Sequence, residues 1–229
     1  MSQTYGEENL ESMSQAIWYN RWSMKKFTPY LRGEILEVGC GIGNFSKALT
    51  KYGQVWAIDI NQNYLKKIRE RISQRIIVGY GDIEKGRYFF NKKTFDAIVC
   101  LNVLEHIKDD NKAIANLSKL LKPGGHLIVL IPAHPAIYGK IDSMVGHYRR
   151  YTKEEIIGKI KRVNLNILRY RRLNFLGAIG WFIVGKILRE NKIEYGKIKI
   201  FNFLAPFILP IEDLIEPPVG TSILVIARK

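Results

Sequence analysis

The sequence has few cysteines, no internal repeat and no long apolar run. Only two of its 229 residues are cysteines, and Cys40 and Cys100 have neither the number of a disulfide framework nor the spacing of a metal site. The longest apolar stretches, residues 175–185 and 203–211, are too short to span a bilayer. The first residues are polar and contain no signal-peptide core. These absences exclude a disulfide-stapled secreted domain, and we expect a soluble, cytoplasmic protein that at most contacts a membrane from its surface.

Negative charge is also in short supply. Lys and Arg number 36 against 21 Asp and Glu, which gives a formal net charge of +15. Such an excess suits nucleic acid, an anionic membrane surface or an anionic substrate. A generally basic proteome or a lysine-rich thermophile surface explains it equally well. Charge alone therefore selects no partner.

Up to residue 131, strand-like apolar runs alternate with amphipathic helical patterns. The runs lie at 34–39, 54–60, 75–83, 94–104 and 126–133, and the helical patterns at 44–53, 62–72 and 111–121. This alternation predicts a parallel sheet with helices on both faces, whose ligands bind beyond the carboxyl ends of the strands.

After residue 133 the rhythm changes. A loop of about 18 residues precedes Thr152 and Glu155, whose spacing is that of a helix capping box. A strand at 165–173 and an apolar helical region at 175–188 follow. A Pro-punctuated apolar segment then leads to a last strand, residues 221–229, which we expect to close a mixed sheet as an antiparallel strand.

A glycine-rich loop follows the first predicted strand. Gly39, Gly41 and Gly43 lie at a helix start, where the backbone turns sharply and its N–H groups favour anionic ligands. Glu37 precedes them, and this acid would repel a pyrophosphate but suits a ligand that carries an ammonium and a sulfonium. Asp59 ends the second predicted strand, where an acid commonly binds ribose hydroxyls. The pattern indicates a nucleoside-bearing cofactor other than a dinucleotide.

Five segments in order resemble the motifs of class I S-adenosylmethionine-dependent methyltransferases of type 11/12. They are LEVGCGIGNF, AIDIN, YGDIE, FDAIVCLNVLEHI and LLKPGGHLIVLIPA, and the resemblance covers about residues 15–135. It implies an α/β fold, a Rossmann-like doubly wound sheet of seven mostly parallel strands with an antiparallel last strand and helices on both faces. It also implies S-adenosyl-L-methionine as the cofactor.

The same resemblance implies a cofactor site at successive strand ends. Glu37 would meet the methionine moiety, Asp59 the ribose hydroxyls and Asp82 the adenine amino group. Asn102 would border the sulfonium. The full predicted set is Tyr19, Arg21, Trp22, Glu37, Gly39, Cys40, Gly41, Asn44, Asp59, Ile60, Gly81, Asp82, Ile83, Leu101, Asn102, Val103 and His106.

Several of these residues have a plainer explanation. Tyr19, Arg21 and Trp22 belong to an aromatic group that in similar enzymes folds over the cofactor as a lid, although simple packing of a helix on the sheet accounts for them too. Capping of the 103–107 turn explains His106 as well as a cofactor contact does. Ile60 and Ile83 equally suit the core.

The mechanism implied is an in-line displacement on the sulfonium methyl, in which positioning and desolvation supply most of the rate. A hydroxyl or acidic carbon acceptor needs a general base, and the candidates are His134 and His147, with polar packing as the alternative. The predicted substrate-binding residues are Asp142, Tyr148, Arg149, Arg150 and Tyr151. The alternative for this group is a loop pinned by salt bridges. We predict no metal ligands.

We therefore predict a single methyltransferase domain over residues 1–229. It divides into an N-terminal helical lid (1–31), a cofactor-binding core (32–133), a substrate-side loop (134–151), and C-terminal helices and closing strands (152–229). The expected activity is methyl transfer to a small-molecule, glycan-linked or lipid-linked acceptor, an anionic one included.

Two alternatives to this function remain. The charge suits an RNA or nucleic-acid methyltransferase, although no RNA-binding module and no Asn-Pro-Pro-Tyr-like motif is evident. A non-catalytic peripheral membrane or cofactor-binding protein would use the apolar residues 175–188 and 200–215 to dock on a bilayer. A helical cover over the pocket is the simpler use of those stretches.

Overall fold

The computed structural model describes residues 16–71, 76–182 and 195–229. Within them, eight strands form one sheet: β1 (Gly33–Val38), β2 (Gly53–Asp59), β3 (Ile76–Asp82), β4 (Arg87–Tyr88), β5 (Phe95–Leu101), β6 (Leu121–Pro132), β7 (Asn166–Leu173) and β8 (Ser222–Arg228). The described helices are α1 (Ile17–Lys25), α2 (Ser46–Leu49), α3 (Gln62–Arg71), α4 (Asp110–Leu120), α5 (Lys140–Met144), α6 (Lys153–Arg162), α7 (Phe175–Phe182), α8 (Tyr195–Ile208) and α9 (Ile211–Leu214). Short 3₁₀ turns lie at Thr28–Tyr30, Leu104–His106 and Pro135–Ile137.

The strand order across the sheet is β4-β3-β2-β1-β5-β6-β8-β7. Strands β3, β2, β1, β5 and β6 pair in parallel, and β8 lies antiparallel between β6 and β7. The predicted mostly parallel sheet with an antiparallel last strand is confirmed. The eighth strand, β4, is a two-residue antiparallel addition beside β3, and it is too short to leave an alternation pattern in the sequence.

Apolar side chains alternate between the two faces of the sheet, as buried strands require. On one face, Leu36 and Ile98 pack with Ile114 of α4 and Ile156 of α6. On the opposite face, Ile35, Val99 and Leu224 pack with side chains of α1 and α8. Helices therefore cover both faces of the sheet. The region beyond the ends of the strands is not covered in this way and can form a site.

Several element boundaries differ from the predicted ones. Helix α2 covers only Ser46–Leu49 because Gly43, with φ +90°, keeps the preceding loop out of helical geometry. Strand β5 stops at Leu101 because Asn102 adopts φ +54°, a conformation outside the strand region. The Pro-punctuated segment forms α8, with Pro206 inside the helix. Of the helix predicted at 175–188, Phe175–Phe182 is helical and residues 183–188 lie outside the described residues.

No helix among the described residues has both the length and the apolar character that a membrane crossing demands. The apolar helix α8 instead packs against the sheet and α1 through Ala205 and the neighbouring Leu209. This is the covering role that a buried sheet face requires.

A buried carboxylate joins the C-terminal helices to the sheet. Glu212 of α9 is buried, and its two oxygens accept the backbone N–H groups of Asn174 and Phe175, at 2.9 and 2.8 Å, where β7 gives way to α7. These N–H groups belong to the first turn of α7, which has no helical acceptors for them. Glu212 thus caps α7 from another helix.

Replacing Glu212 by alanine leaves these two N–H groups without acceptors. We expect the Glu212→Ala variant to lose about 1–3 kcal/mol of unfolding free energy, the usual cost of unsatisfied buried polar groups. Urea denaturation followed by circular dichroism measures this loss. Leu214, which is 86% exposed on the same short helix, gives the matched control: the Leu214→Ala variant should unfold like the wild type. Equal stability of both variants would show that Glu212 does not hold α7.

Candidate functional site

The glycine-rich loop turns sharply at the carboxyl end of β1. The N–H groups of Gly39 and Cys40 both donate to the carbonyl of Ile58 in β2, at 2.8 and 3.0 Å. Gly39 has φ +68°, and a Cβ at this position would clash with Val103 Cγ2. Only glycine therefore fits between the end of β1 and the segment that follows β5.

Asp59 fastens this loop to the end of β2. Its Oδ2 accepts the N–H of Gly41 at 2.9 Å, and its Oδ1 accepts the N–H of Asn61 at 2.8 Å. Burial raises the pKa of Asp59 above its ordinary value, although these backbone hydrogen bonds act in the opposite direction. The carboxyl thus orders the loop from within.

Glu37 is buried in β1, and its carboxyl accepts a hydrogen bond from Ser46 Oγ at the start of α2. Burial raises the pKa of Glu37 to about 8, a change that the Ser46 hydrogen bond only partly offsets and that the nearby Asp59 reinforces. Near neutral pH the free protein therefore keeps this carboxyl largely protonated, and a cation at this point would favour its ionised form.

The third acid, Asp82, ends β3 and is buried. Its Oδ1 accepts the N–H of Lys85 at 2.9 Å, and its Oδ2 lies 3.3 Å from Lys85 Nζ. Glu37, Asp59 and Asp82 thus sit near the carboxyl ends of three neighbouring parallel strands, as the sequence predicts.

The residues between these acids differ in exposure. Ile60 is 66% exposed and lines, with residues 61–63, a shallow depression of about 420 Å³, whereas Ile83 is 4% exposed in the core. The depression gives Ile60 room for a ligand, while the burial of Ile83 favours the core alternative. Of the other predicted residues here, Cys40 packs with Ala57 of the core, and Gly81 pairs with Tyr88 of β4.

The segment after β5 lies opposite the glycine loop. Asn102 is exposed, and its N–H donates to the carbonyl of Leu130 at 2.7 Å, which anchors the turn to the end of β6. Val103 contacts Gly39, so the two segments predicted to hold the cofactor meet across the edge of the sheet. Leu101 is half-buried at the end of the strand.

The loop after β6 is organised by Asp142, which is fully buried in α5. Its carboxylate accepts the N–H of Gly139 at 3.0 Å, lies 2.9 Å from His147 Nδ1, and accepts Arg150 Nε at 2.8 Å. Burial alone would raise the pKa of Asp142, but the His147 hydrogen bond and the Arg150 charge hold it below its ordinary value. Asp142 therefore orients both His147 and Arg150.

A second buried acid, Asp110 of α4, holds the other end of this loop. Its Oδ1 lies 3.0 Å from Arg149 Nη1, and its Oδ2 accepts the hydroxyl of Tyr151 at 2.9 Å. Tyr151 is 1% exposed and Tyr148 is 58% exposed. The contacts of Tyr151 and of the buried Arg150 favour a structural role in holding the loop. Tyr148 and part of Arg149 remain accessible to a ligand. Their substrate-binding role remains a prediction.

His134, the other candidate base, has φ +60° and donates its backbone N–H to the carbonyl of Tyr151 at 3.1 Å. Its Nε2 is buried and has no hydrogen-bond partner among the described residues. Its role as a base stays a prediction.

The predicted lid residues divide by exposure. Tyr19 and Trp22 are buried, with Tyr19 Oη donating to Ser222 Oγ at 3.4 Å and Trp22 Nε1 donating to Asp213 Oδ1 at 2.9 Å. Arg21 is exposed. Ser222 pairs with Pro132 at the carboxyl end of β6, so α1 runs past this edge of the sheet. The contacts favour packing, and a lid role remains a prediction.

Sequence reasoning gave no role to Glu105 or Asp110. Glu105 is 1% exposed beside His106, and its backbone carbonyl accepts the N–H of Tyr148 at 2.8 Å. Its only signal in the sequence is a carboxylate adjoining a histidine in a polar turn after a buried strand. The contacts to the 134–151 loop, which involve pairs about 40 residues apart, leave no local pattern.

The family model described as methyltransferase domain matches residues 36–129. The ubiquinone biosynthesis O-methyltransferase of Coxiella burnetii is 33% identical over 100 residues, which are 42% of this chain and 43% of that protein. The ubiquinone/menaquinone biosynthesis C-methyltransferase of Marinomonas sp. is 34% identical over 103 residues, 42% of this chain and 41% of that protein. The chain thus matches less than half the length of these curated relatives.

Among solved structures, phosphoethanolamine N-methyltransferase 2 of Haemonchus contortus in complex with S-adenosyl-L-methionine superposes with a TM-score of 0.64 at 19% identity. The superposition covers 92% of this chain and 52% of that one, and at this identity it establishes a shared fold. Residues 36–129 thus match a methyltransferase domain, and the chain shares the fold of this solved structure.

Proposed function

We propose that the protein transfers the methyl group of S-adenosylmethionine to a small-molecule acceptor. The observation that carries this proposal is the arrangement of Glu37, Asp59 and Asp82 near the ends of three adjacent parallel strands around a loop that only glycine can form. Of the three acids, Glu37 is buried with a single hydrogen-bond donor to its carboxyl, and such a group needs a cationic or hydrogen-bond-donating ligand. The matched relatives and the superposed structure are all methyltransferases by name.

The residues at this edge fit the parts of that cofactor. The buried Glu37 carboxyl suits the ammonium of the methionine moiety, because a neighbouring cation stabilises its ionised form. Asp59 suits the two ribose hydroxyls, and the exposed Ile60 beside it offers an apolar surface for the adenine ring. Asp82 suits the adenine amino group. When bound, the cofactor supplies a methyl group on a positively charged sulfur.

The residues of the chain then position the acceptor against the methyl group and exclude water from the space between them. The Gly39–Val103 contact brings the segment after β5 close to the glycine loop, which fixes the space in which an acceptor approaches the methyl group. An aligned approach at close distance removes most of the entropic barrier of a two-substrate reaction. Because His147 is held by Asp142, the 134–151 loop presents a fixed surface on the acceptor side.

For the acceptor, we propose a small molecule with an apolar, lipid-like portion. The curated relatives act in ubiquinone or menaquinone biosynthesis by name, one as an O- and one as a C-methyltransferase. Helices α8 and α9 expose large apolar side chains, with Phe203 at 73% and Leu214 at 86%. Where exposure is described on these helices and at the residue that follows them, the exposed large apolar side chains are Phe203, Phe207, Ile211, Leu214 and Ile215. Together with the net charge of +15, this surface suits an anionic bilayer that delivers such a molecule.

The cofactor assignment depends most on Asp59. We expect the Asp59→Ala variant to bind S-adenosylmethionine at least about tenfold more weakly, because it loses the ribose acceptor and the clamp on Gly41 (about 1.4 kcal/mol per tenfold change). Isothermal titration calorimetry measures the affinity, and thermal melting shows whether the fold is kept. The control Glu70→Gln, an exposed acid on α3, should bind normally. Unchanged affinity in a folded Asp59→Ala protein would refute the site.

The raised pKa of Glu37, about 8, gives a pH signature. Below this pH the free protein holds a proton on Glu37, and a bound cation favours the ionised form, so binding should release a proton. Affinity should therefore rise with pH through the neutral range in the wild type relative to Glu37→Gln, which has no such proton. Calorimetry at about pH 7 in buffers of different ionisation enthalpy counts the protons released. The same count in both proteins would contradict this role of Glu37.

The membrane-facing part of the proposal has its own test. We expect Phe203→Glu to reduce co-sedimentation with anionic phospholipid vesicles several-fold, because a charge on this surface opposes its burial in the lipid interface. Leu168→Glu, an exposed apolar position on the edge strand β7, serves as the matched control and should sediment like the wild type. Absence of vesicle binding by the wild type would favour an acceptor met in water.

A further inference from the structure

Three side chains beyond the carboxyl end of β5 converge on one point. Glu105 and His106 lie in the 3₁₀ turn Leu104–His106, and His147 lies just after α5. One ligand atom from each, a carboxylate oxygen and two imidazole nitrogens, lies within 4.8 Å of the others. We refer to these three residues as the Glu-His-His cluster. None of the cofactor contacts proposed above uses its carboxylate.

Glu105 is the unusual member of the cluster. Its side chain is 1% exposed, and neither carboxylate oxygen has a hydrogen-bond partner among the described residues. A buried carboxylate without hydrogen bonds is costly, so native structures rarely contain one without a reason. The buried carboxylate of Glu105 thus has unused acceptor atoms at the point where the two imidazoles converge.

Contacts within the loop orient His147 so that one of its ring nitrogens faces Glu105. Its Nδ1 lies 2.9 Å from Asp142 Oδ1, and the Asp142 carboxylate also accepts Arg150 Nε and the N–H of Gly139, so this carboxylate acts as the acceptor and the tautomer that satisfies the contact has its proton on Nδ1. The lone pair is then on Nε2, which lies 3.9 Å from Glu105 Oε1. A carboxylate that fixes a histidine so that its other nitrogen faces a metal is the usual outer-shell arrangement of protein metal sites.

His106 is the third member of the cluster, and it lies on the side of the cluster that faces solvent. Its ring lies edge-on to that of His147, with centroids 4.7 Å apart and planes at 76°. His106 lies beside Gly146, and the residue is exposed to solvent. The cluster thus has a buried carboxylate on its inner side and an accessible face through which an ion and a further ligand can enter.

We propose that Glu105, His106 and His147 bind a divalent transition-metal ion, with Zn²⁺ or Mn²⁺ as the best matches. Two imidazoles and one carboxylate favour such ions over Mg²⁺ and Ca²⁺, which prefer oxygen ligands throughout. Bond lengths of about 2.0–2.2 Å put tetrahedral ligands roughly 3.3 Å apart. His147 Nε2 and Glu105 Oε1 lie 3.9 Å apart, so a small side-chain movement brings them to this spacing. Three protein ligands leave positions open, as in catalytic sites.

This site adds a chemical step to the proposed function, and that part of the inference rests on it. The cluster follows Asn102 along the chain, at the edge where the methyl donor is proposed to bind. An acceptor hydroxyl at an open position would have a lowered pKa and would lose its proton to water. The new O–CH₃ bond forms as the S–CH₃ bond breaks, and the cofactor leaves as the neutral thioether S-adenosylhomocysteine. The substrate class is therefore an acceptor with an acidic hydroxyl.

Metal binding is measured on the full-length protein with the metal alone. After treatment with a chelator and its removal, the protein is titrated with CoCl₂, whose visible absorption reports nitrogen and oxygen ligation, and with ZnSO₄ in a calorimeter. We expect one ion per chain. The Glu105→Gln and His147→Asn variants should each weaken binding at least about tenfold, in line with the loss of one ligand. His126→Asn, a histidine on β6 outside the cluster, should bind the ion like the wild type.

Two outcomes would overturn the proposal. One is the absence of stoichiometric Co²⁺ and Zn²⁺ binding by the wild type, and the other is equal binding in the wild type and in folded Glu105→Gln and His147→Asn proteins. Circular dichroism melting curves establish that the variants are folded. S-adenosylmethionine titration of the same metal-free protein keeps the two proposals separate, because a chain that binds the ion but not the cofactor refutes the proposed function and leaves the metal site intact.

Discussion

The parallel pairing of β1 with β2 and β5 is the constraint on which the site depends. Val38 lies beside both Ile58 and Cys100, so the three strands end at one level. The segments that follow, which begin with Gly39, Ile60 and Asn102, must then share one edge of the sheet. No single contact holds them there. The apolar layers on both faces of the sheet fix the register, since a shift by one residue would turn every buried side chain to the wrong face.

At this edge, acids that are equally buried have different pKa values because their hydrogen-bond and charge partners differ. Glu37 and Glu105 are buried with one hydrogen-bond donor or none to their carboxyls, and the pKa of each rises to about 8. Asp142 is buried as deeply, but three donors and the Arg150 charge keep its pKa low. The difference separates acids that complete the fold from acids that still need a ligand. Glu37 and Glu105 belong to the second kind, and the cofactor and metal proposals each assign one of them a partner.

The 134–151 loop illustrates how charge serves the fold before it serves a substrate. A run of histidine, tyrosine and two arginines looks in sequence like a surface that recognises anions. In the structure, Arg150 is 5% exposed against Asp142, and Tyr151 is hydrogen-bonded to Asp110. These pairs hold the loop over the end of β6 through its bridge between Ala133 and Tyr151. The rigid loop holds His147 with its Nε2 toward Glu105, and this orientation is what the loop contributes to the proposed chemistry.

Local periodicity and the glycine spacing around Glu37 and Asp59 predicted the succession of strands and helices and the three strand-end acids. The antiparallel direction of the last strand was implied by the resemblance to known methyltransferases. Sequence patterns missed β4, since two residues carry no periodicity, and they misplaced the boundaries of α2, where Gly43 adopts a conformation that spacing does not reveal. Tertiary contacts determine which polar groups are used internally and which of those in the described part of the chain have no hydrogen-bond partner. Glu105 and His147 are 42 positions apart, and neither the burial of the carboxylate nor the direction of the imidazole follows from neighbours along the chain. Those properties arise when β5 and the loop after β6 pack together, because burial and hydrogen-bond partners are set by contacts between distant segments.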